Sequence, residues 1–90
     1  MLKITRAENG EVVFKVSGRM DAENVAELTV LVGEEASDRR IVMDLKDLTL
    51  VDRDAVSFLA RCEAHNIELK NCPAYIREWI FRERKRRPSE

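Results

Sequence analysis

The chain has 90 residues, of which 44% are hydrophobic and 37% are charged. This length suits one small domain, and the apolar content is sufficient for a single core beneath a heavily charged surface. No run approaches the roughly 18 to 20 apolar residues that a membrane-spanning helix needs, and the alternating start does not resemble a signal peptide. We therefore expect a cytoplasmic protein whose two cysteines, Cys62 and Cys72, are free thiols with a structural role.

Charge is distributed unevenly along a chain whose net charge is −1 at pH 7. Five basic and two acidic residues give residues 82–90 a charge of +3, which leaves −4 on residues 1–81. We expect residues 1–81 to form the folded domain and residues 82–90 to form a basic C-terminal tail. Because an acidic body repels phosphates, the tail favours a solvated or partner-docking role, and nucleic-acid binding is not expected.

The first half of the chain predicts a β-hairpin followed by a helix. Apolar residues alternate with polar ones in residues 2–4 and 12–16, and the Asn9-Gly10 pair between them is a strong hairpin signal. Asp21 is placed to cap a helix whose apolar residues recur mostly every three or four positions until about Gly33.

The second half predicts a buried strand, a helix, a short strand and a last helix. The nearly continuous apolar run 41–45 is typical of a central strand covered on both faces. The next helix has an apolar stripe at i, i+3, i+4 and i+7, formed by Ala55, Phe58, Leu59 and Cys62. It ends near Asn66, residues 67–70 alternate as a strand, and a helix with Trp79 inward begins near Pro73. The order β-β-α-β-α-β-α predicts an α/β fold: a small mixed sheet of about four strands with helices packed on it.

Two segments read together resemble the STAS domain, the family that includes bacterial anti-sigma-factor antagonists and the cytoplasmic domains of sulfate transporters. Residues 18–28 are similar to the family's Gly-x-hydrophobic-Asp turn and the helix that follows it. Residues 41–56 look like its apolar strand, its Leu-x-x-Leu step and its Asp-Ser-Ser/Thr-Gly-hydrophobic junction. The resemblance implies a STAS-like fold and a protein-binding role in signalling and transcription regulation, without catalysis or a cofactor. The last predicted helix comes one strand and one helix before the end of the family's topology, which would leave a sheet edge open or covered by a partner.

The junction departs from the family pattern at the position that regulates binding. In antagonist members, the serine after the junction aspartate is phosphorylated, and the phosphate ends binding to an anti-sigma kinase. Here Asp52 is followed by Arg53, Asp54 and Ala55, so no phosphorylation is expected at that position and binding should be constitutive or controlled elsewhere. Ser57 is the only hydroxyl in residues 52–57, and helical spacing points it away from the core.

The resemblance implies a protein partner, either an anti-sigma factor or a kinase-like regulator, that binds around the junction. The residues expected at this partner-binding site are Asp21, Asp52, Arg53, Asp54, Ala55 and Ser57. Both strand-to-helix turns emerge at the same end of the sheet in such folds, which would bring Asp21 beside the junction. Arg53 would protrude, Asp54 would cap the helix or present negative charge, and Ala55 would permit close approach.

Two other functions remain open from the sequence. The protein could be a structural homodimer, formed through an uncovered sheet edge or the last helix. It could also bind a nucleotide or another small ligand, although the chain has no Gly-rich phosphate loop. Asp52 and Asp54, at the start of a helix, would disfavour an anion there.

The remaining polar clusters favour structural roles over chemistry. Asp52 and Asp54 suit helix capping better than acid/base catalysis or metal binding, and Asp44 and Asp47 suit solvated turns. Three soft ligands have two-residue and six-residue gaps that match no common zinc site: Cys62, His65 and Cys72. We expect no catalytic residue, no metal and no cofactor.

Overall fold

The computed structural model describes residues 2–35 and 39–85 and confirms the predicted order of elements. The strands are β1 (Leu2–Glu8), β2 (Val12–Met20), β3 (Ile41–Val51) and β4 (Glu68–Lys70). The helices are α1 (Ala22–Gly33), α2 (Arg53–Ala64) and α3 (Ala74–Lys85). The sheet has the order β1-β2-β3-β4, with β1 antiparallel to β2 and the other neighbours parallel.

The predicted hairpin joins β1 and β2 through a three-residue turn. Glu8 pairs with Val12, and Gly10 between them has a φ of 78°, a conformation that glycine adopts without a steric penalty. Gly18, with a φ of 97°, lies where the register between β2 and β3 shifts. This irregularity is a β-bulge, a feature that re-aims the end of a strand.

All three helices cover the same face of the sheet, since α2 packs against both α1 and α3. Phe14 and Met43 lie at one register level beneath the helices and are 1% and 0% exposed. At the next level, Lys15 and Asp44 point to the opposite face, which no helix of residues 2–35 and 39–85 covers. Val42 points to that same face and is only 2% exposed, so the expectation that residues 41–45 would be covered on both faces holds at Val42, although every helix lies on the other face.

The helices contribute unequally to the core. α2 lies in the middle and buries five residues, the predicted stripe and one more: Ala55, Val56, Phe58, Leu59 and Cys62. α1 fully buries only Leu28, and it exposes apolar residues such as Ala26 and Val30. Trp79 in α3 is half-buried and packs against the core, as predicted. α2 thus connects the sheet to both outer helices.

The last helix extends beyond the domain boundary that the charge pattern indicates. α3 continues to Lys85, so the boundary expected between residues 81 and 82 falls inside a helix, and Glu83 is only 4% exposed. The rest of the expected tail, residues 86–90, lies outside the described residues. Within the described ranges, every helix has 12 residues, and none is long and apolar enough to span a bilayer.

Candidate functional site

The two strand-to-helix turns lie side by side at the carboxyl ends of β2 and β3. Met20 pairs with Val51, and the backbone N–H of Asp52 donates to the carbonyl oxygen of Met20 at 3.3 Å. Asp21 and Asp52 therefore occupy neighbouring positions, as the sequence predicts. Both line a shallow depression of about 330 Å³. We call the residues around it, four exposed and two half-buried, the junction surface: Arg19, Asp21, Leu50, Asp52, Arg53 and Asp54.

The two aspartates of this surface begin the helices that follow them. The Asp21 carboxylate accepts from the backbone N–H of Asn24 at 3.3 Å, and the Asn24 side chain accepts from the Asp21 N–H at 3.0 Å. This reciprocal arrangement is a capping box. The Asp52 carboxylate accepts from the backbone N–H of Ala55 at 2.9 Å. The cap of α2 is therefore Asp52, while Asp54 lies exposed in the first turn, where the helix dipole favours a negative charge.

Arg53, which follows the cap of α2, contacts the last helix. Its Nε lies 3.4 Å from Oε2 of Glu83, and the side chains of Arg53 and Glu83 are 69% and 6% exposed. The hydroxyl of Ser57 donates to the same Glu83 oxygen at 3.5 Å. Arg53 thus protrudes as expected. Ser57 lies outside the core cluster, as helical spacing predicts, but it faces α3 and is half-buried.

The side chain of Ala55 lies in the core, beneath the junction surface. Its side chain is 0% exposed and belongs to the main core cluster. It packs where α2 begins, because Asp52 fixes the first turn of the helix with this side towards the sheet. The close approach expected of a partner at Ala55 therefore does not involve its side chain, which lies beneath the surface.

Leu50 is the candidate residue that sequence reasoning missed. Its side chain is 56% exposed, because it pairs with Arg19 on the face of the sheet that the helices leave uncovered. Beside it, the hydroxyl of Tyr75 donates to the backbone carbonyl oxygen of Thr49 at 2.5 Å, and Tyr75 is 48% exposed. The sequence gives no signal of this exposure, because simple alternation would place Leu50 on the same side as the buried Leu48; the register shift between Gly18 and Arg19 breaks that alternation.

Polar residues elsewhere are engaged in local structure. Burial raises the pKa of Asp44, but hydrogen bonds from the Lys46 backbone N–H at 3.1 Å and the Asn71 side chain at 3.2 Å outweigh it and lower this pKa overall. The Asp44 carboxylate thus accepts from the backbone N–H of Lys46, a residue of β3 that follows the last pair between β3 and β4. Asp44 therefore stabilises β3 locally where its register with β2 shifts, a more specific role than the solvated turn expected for it.

The described residues show no arrangement for metal binding or thiol chemistry. Within residues 2–35 and 39–85, no three His, Cys, Asp or Glu side chains form a group that could hold a metal ion. Burial raises the pKa of the Cys62 thiol to about 12 and also raises that of Cys72. Both thiols are therefore protonated at neutral pH and are not activated nucleophiles. His65 Nδ1 lies 2.8 Å from the carbonyl oxygen of Arg61, a contact within the end of α2.

Comparison with known proteins shows the fold and nothing finer. No protein-family model matches the chain, and no curated protein matches it. Four chains of solved structures match, including an uncharacterized protein of the DUF3478 family with a SpoIIAA-like fold from Shewanella loihica. That protein is 18% identical to this chain, with a TM-score of 0.51.

The alignment covers 76% of this chain and 61% of the Shewanella loihica protein, so it spans about three fifths of that protein's length. The mixed sheet and three helices described above therefore form a SpoIIAA-like, STAS-like fold. At this identity the likeness extends to the fold alone, and it assigns no role to any residue of the junction surface.

Proposed function

We propose that this protein is a non-enzymatic protein-binding module whose partner contacts the junction surface. The observation that carries the proposal is the exposed Leu50, which lines the depression with Arg19 and Asp52 at the ends of two paired strands. An apolar centre with a polar, charged rim is the general pattern of a protein interface, and Leu50 with the charges around it follows this pattern. A rigid sheet end also presents such groups without a large ordering cost on binding.

The charges around Leu50 favour a protein over a small anion. Arg19 and Arg53 alternate with three carboxylates, those of Asp21, Asp52 and Asp54, so neither sign dominates the surface. Mixed charges at a rim orient a partner and select it, more than they add affinity. The carboxylates stand at the starts of α1 and α2, where a nucleotide phosphate would otherwise bind.

The STAS-like fold supports a finer form of this proposal. The partner would be an anti-sigma factor or a kinase-like regulator, and the setting would be the cytoplasm of a bacterium. Arg53 replaces the phosphorylated serine, and its guanidinium keeps a positive charge at pH 7. Ser57 is half-buried against Glu83, which makes it a poor substrate for a kinase in the folded protein. Binding would then be constitutive, or controlled through the partner.

The test is affinity capture from a lysate of the source cells, followed by identification of the captured proteins by mass spectrometry. Wild type is compared with Leu50→Asp and with Arg53→Gln, which avoids placing a second carboxylate beside Glu83. The matched control is Ala7→Asp, since Ala7 is exposed on β1 and lies outside the junction surface. We expect one partner to be captured by wild type and by the control and to be lost from Leu50→Asp. Retention of the same partner by both junction variants would contradict the proposal.

A second measurement addresses control by phosphorylation. The affinity of the purified partner is measured by calorimetry before and after treatment of this protein with the partner kinase and ATP. We expect the affinity to be unchanged. A phosphate on residues 52–57 that abolishes binding would disprove the constitutive form and leave the location of the site intact.

A further inference from the structure

The outer side of α1 is acidic and partly apolar. Five exposed positions form one stripe along the helix and its cap, here called the acidic stripe: Glu23, Ala26, Glu27, Val30 and Glu34. Their spacing of i, i+3, i+4, i+7 and i+11 places them on one side, opposite the buried Leu28. Val30 is 59% exposed, and α1 contains no basic residue to neutralise the carboxylates.

The opposite pattern lies between α2 and α3. Side chains of both helices line an open groove of about 400 Å³, here called the basic groove: Glu63, Arg77, Ile80, Phe81, Arg84 and Lys85. Phe81 is 60% exposed, and the Lys85 ammonium lies 5.3 Å from the centre of its ring. The carboxylate of Glu63 accepts from Arg77 at 2.7 Å and from Arg84 at 3.3 Å. The guanidinium groups are therefore held in place at the edge of an exposed aromatic ring.

We propose that two copies of this protein associate by placing the acidic stripe of one copy in the basic groove of the other. The carboxylates of the stripe then meet Arg77, Arg84 and Lys85, while Val30 packs on Phe81. Because the guanidinium groups are already ordered by Glu63, less side-chain entropy is lost on association.

The position of the helices allows both contacts to form at once. α1 packs on β2 and on one side of α2, whereas α3 packs on α2 and its Tyr75 reaches the opposite edge of β3. A two-fold axis parallel to α2 therefore brings each α1 against the other copy's α3. Such an isologous contact closes the assembly at a dimer.

A second copy suits the basic groove better than other occupants. The residues that follow α3 in the sequence are Arg86 and Arg87, whose charge does not complement the groove. A nucleic acid would meet the charge of −4 carried by residues 1–81. The acidic stripe supplies carboxylates and an exposed apolar side chain at helical spacing, which is the complement of the groove.

The test is sedimentation equilibrium of the full chain at low and high salt. The stripe variant is Glu27→Lys/Glu34→Lys, chosen because these positions avoid the N-terminus of α1, where a lysine would oppose the helix dipole. The groove variant is Arg84→Glu/Lys85→Glu, which leaves Glu63 its shorter contact with Arg77. Val30→Asp tests the apolar contact at an exposed position where a fold defect is not expected. The matched control is Lys3→Glu/Lys46→Glu. It changes the net charge by the same amount as the groove variant, but its positions lie on β1 and β3.

We expect a wild-type dimer that weakens with salt, as exposed charge pairs do. Each charge-reversed variant should lower the association constant about tenfold or more, and Val30→Asp should also lower it. An equimolar mixture of the stripe and groove variants should restore association, because both contacts then join opposite charges again. The control variant should behave as wild type.

Several results would overturn this proposal. The first is a wild type that remains monomeric at every concentration. The second is an association constant of both charge-reversed variants equal to that of wild type. The third is an equimolar mixture of these variants that associates no more tightly than either variant alone. A monomeric wild type that binds a DNA duplex or a poly-glutamate peptide through the groove would assign the groove to a polyanion instead. The dimer uses residues outside the junction surface, and Leu50→Asp should leave it unchanged, so failure of one proposal is distinguishable from failure of the other.

Discussion

Glu83 is the only charged residue that is buried within residues 2–35 and 39–85, and its partners compensate poorly for that burial. The contacts from Arg53 and Ser57, at 3.4 and 3.5 Å, are both at the long limit of hydrogen bonding. The side chain of Arg53 is 69% exposed, so solvent screens the pair and we expect it to contribute only ~0.2–1 kcal/mol. Removal of a carboxylate from water costs several kcal/mol. We therefore predict that the buried carboxylate lowers the stability of this protein.

The perturbation is Glu83→Met, which keeps the length of the side chain and removes its charge. Apolar replacement of buried ion pairs is often neutral or stabilising by ~1–4 kcal/mol, and partial solvation of this pair places the expected gain at ~1 kcal/mol. Arg53→Ala leaves the carboxylate with Ser57 alone and should cost ~1 kcal/mol. In the Glu83→Met background the same change should cost less than ~0.5 kcal/mol, because no buried charge remains to be uncovered.

The assay is urea unfolding at pH 7, followed by circular dichroism, with a shift of the midpoint at constant slope as the measure of stability. Glu78→Met is the matched control, since Glu78 is exposed on the same helix, and it should change stability by less than ~0.5 kcal/mol. If Glu83→Met instead destabilises by ~1 kcal/mol or more, the pair is net stabilising and the reasoning fails. A stabilised variant that also loses the partner would show that Glu83 is kept to position Arg53.

Three further predictions concern the cap, the thiols and the acid limit of stability. Asp52→Ala should lower the free energy of unfolding by ~1 kcal/mol because Asp52 caps α2, whereas Asp54→Ala removes only a dipole contact of ~0.3 kcal/mol. Urea titration of both variants ranks them, and a larger loss for Asp54→Ala would contradict the assignment. Iodoacetamide should modify Cys72 before Cys62, since Cys62 is more deeply buried and its pKa is raised to about 12. Peptide mass spectrometry measures both rates, and equal labelling would argue against the described burial. The pKa of Asp44 is lowered despite burial, so its carboxylate stabilises the fold above pH ~4, and this contribution is lost as the pH falls through the lowered pKa. Asp44→Asn should thus be less stable than wild type at neutral pH and equal to it at pH ~2, and a difference independent of pH would refute this.

The amino-acid sequence by itself determined the order of elements and the points where they begin and end. The hairpin turn at Gly10, the caps Asp21 and Asp52, and the left-handed Asn66 after α2, with a φ of 67°, were all predictable. Each depends on interactions within about four residues, because a capping side chain or a tight turn bonds to its own neighbourhood. The apolar stripe of α2 could be predicted equally well, because the spacing of its apolar residues depends only on the geometry of that one helix. The position of Asp21 beside Asp52 followed from parallel topology.

Only the tertiary structure decided which of these residues are accessible and what they contact. Arg53 and Glu83 are 30 residues apart, and neither local periodicity nor charge pattern indicates that α3 crosses the side of α2 that carries Ser57. The exposure of Leu50 likewise depends on all the helices covering one face of the sheet, which the apolar run of β3 does not reveal. Packing between distant elements therefore decides whether a side chain at a helix start stays exposed, as Arg53 does, or becomes part of the core, as Ala55 does.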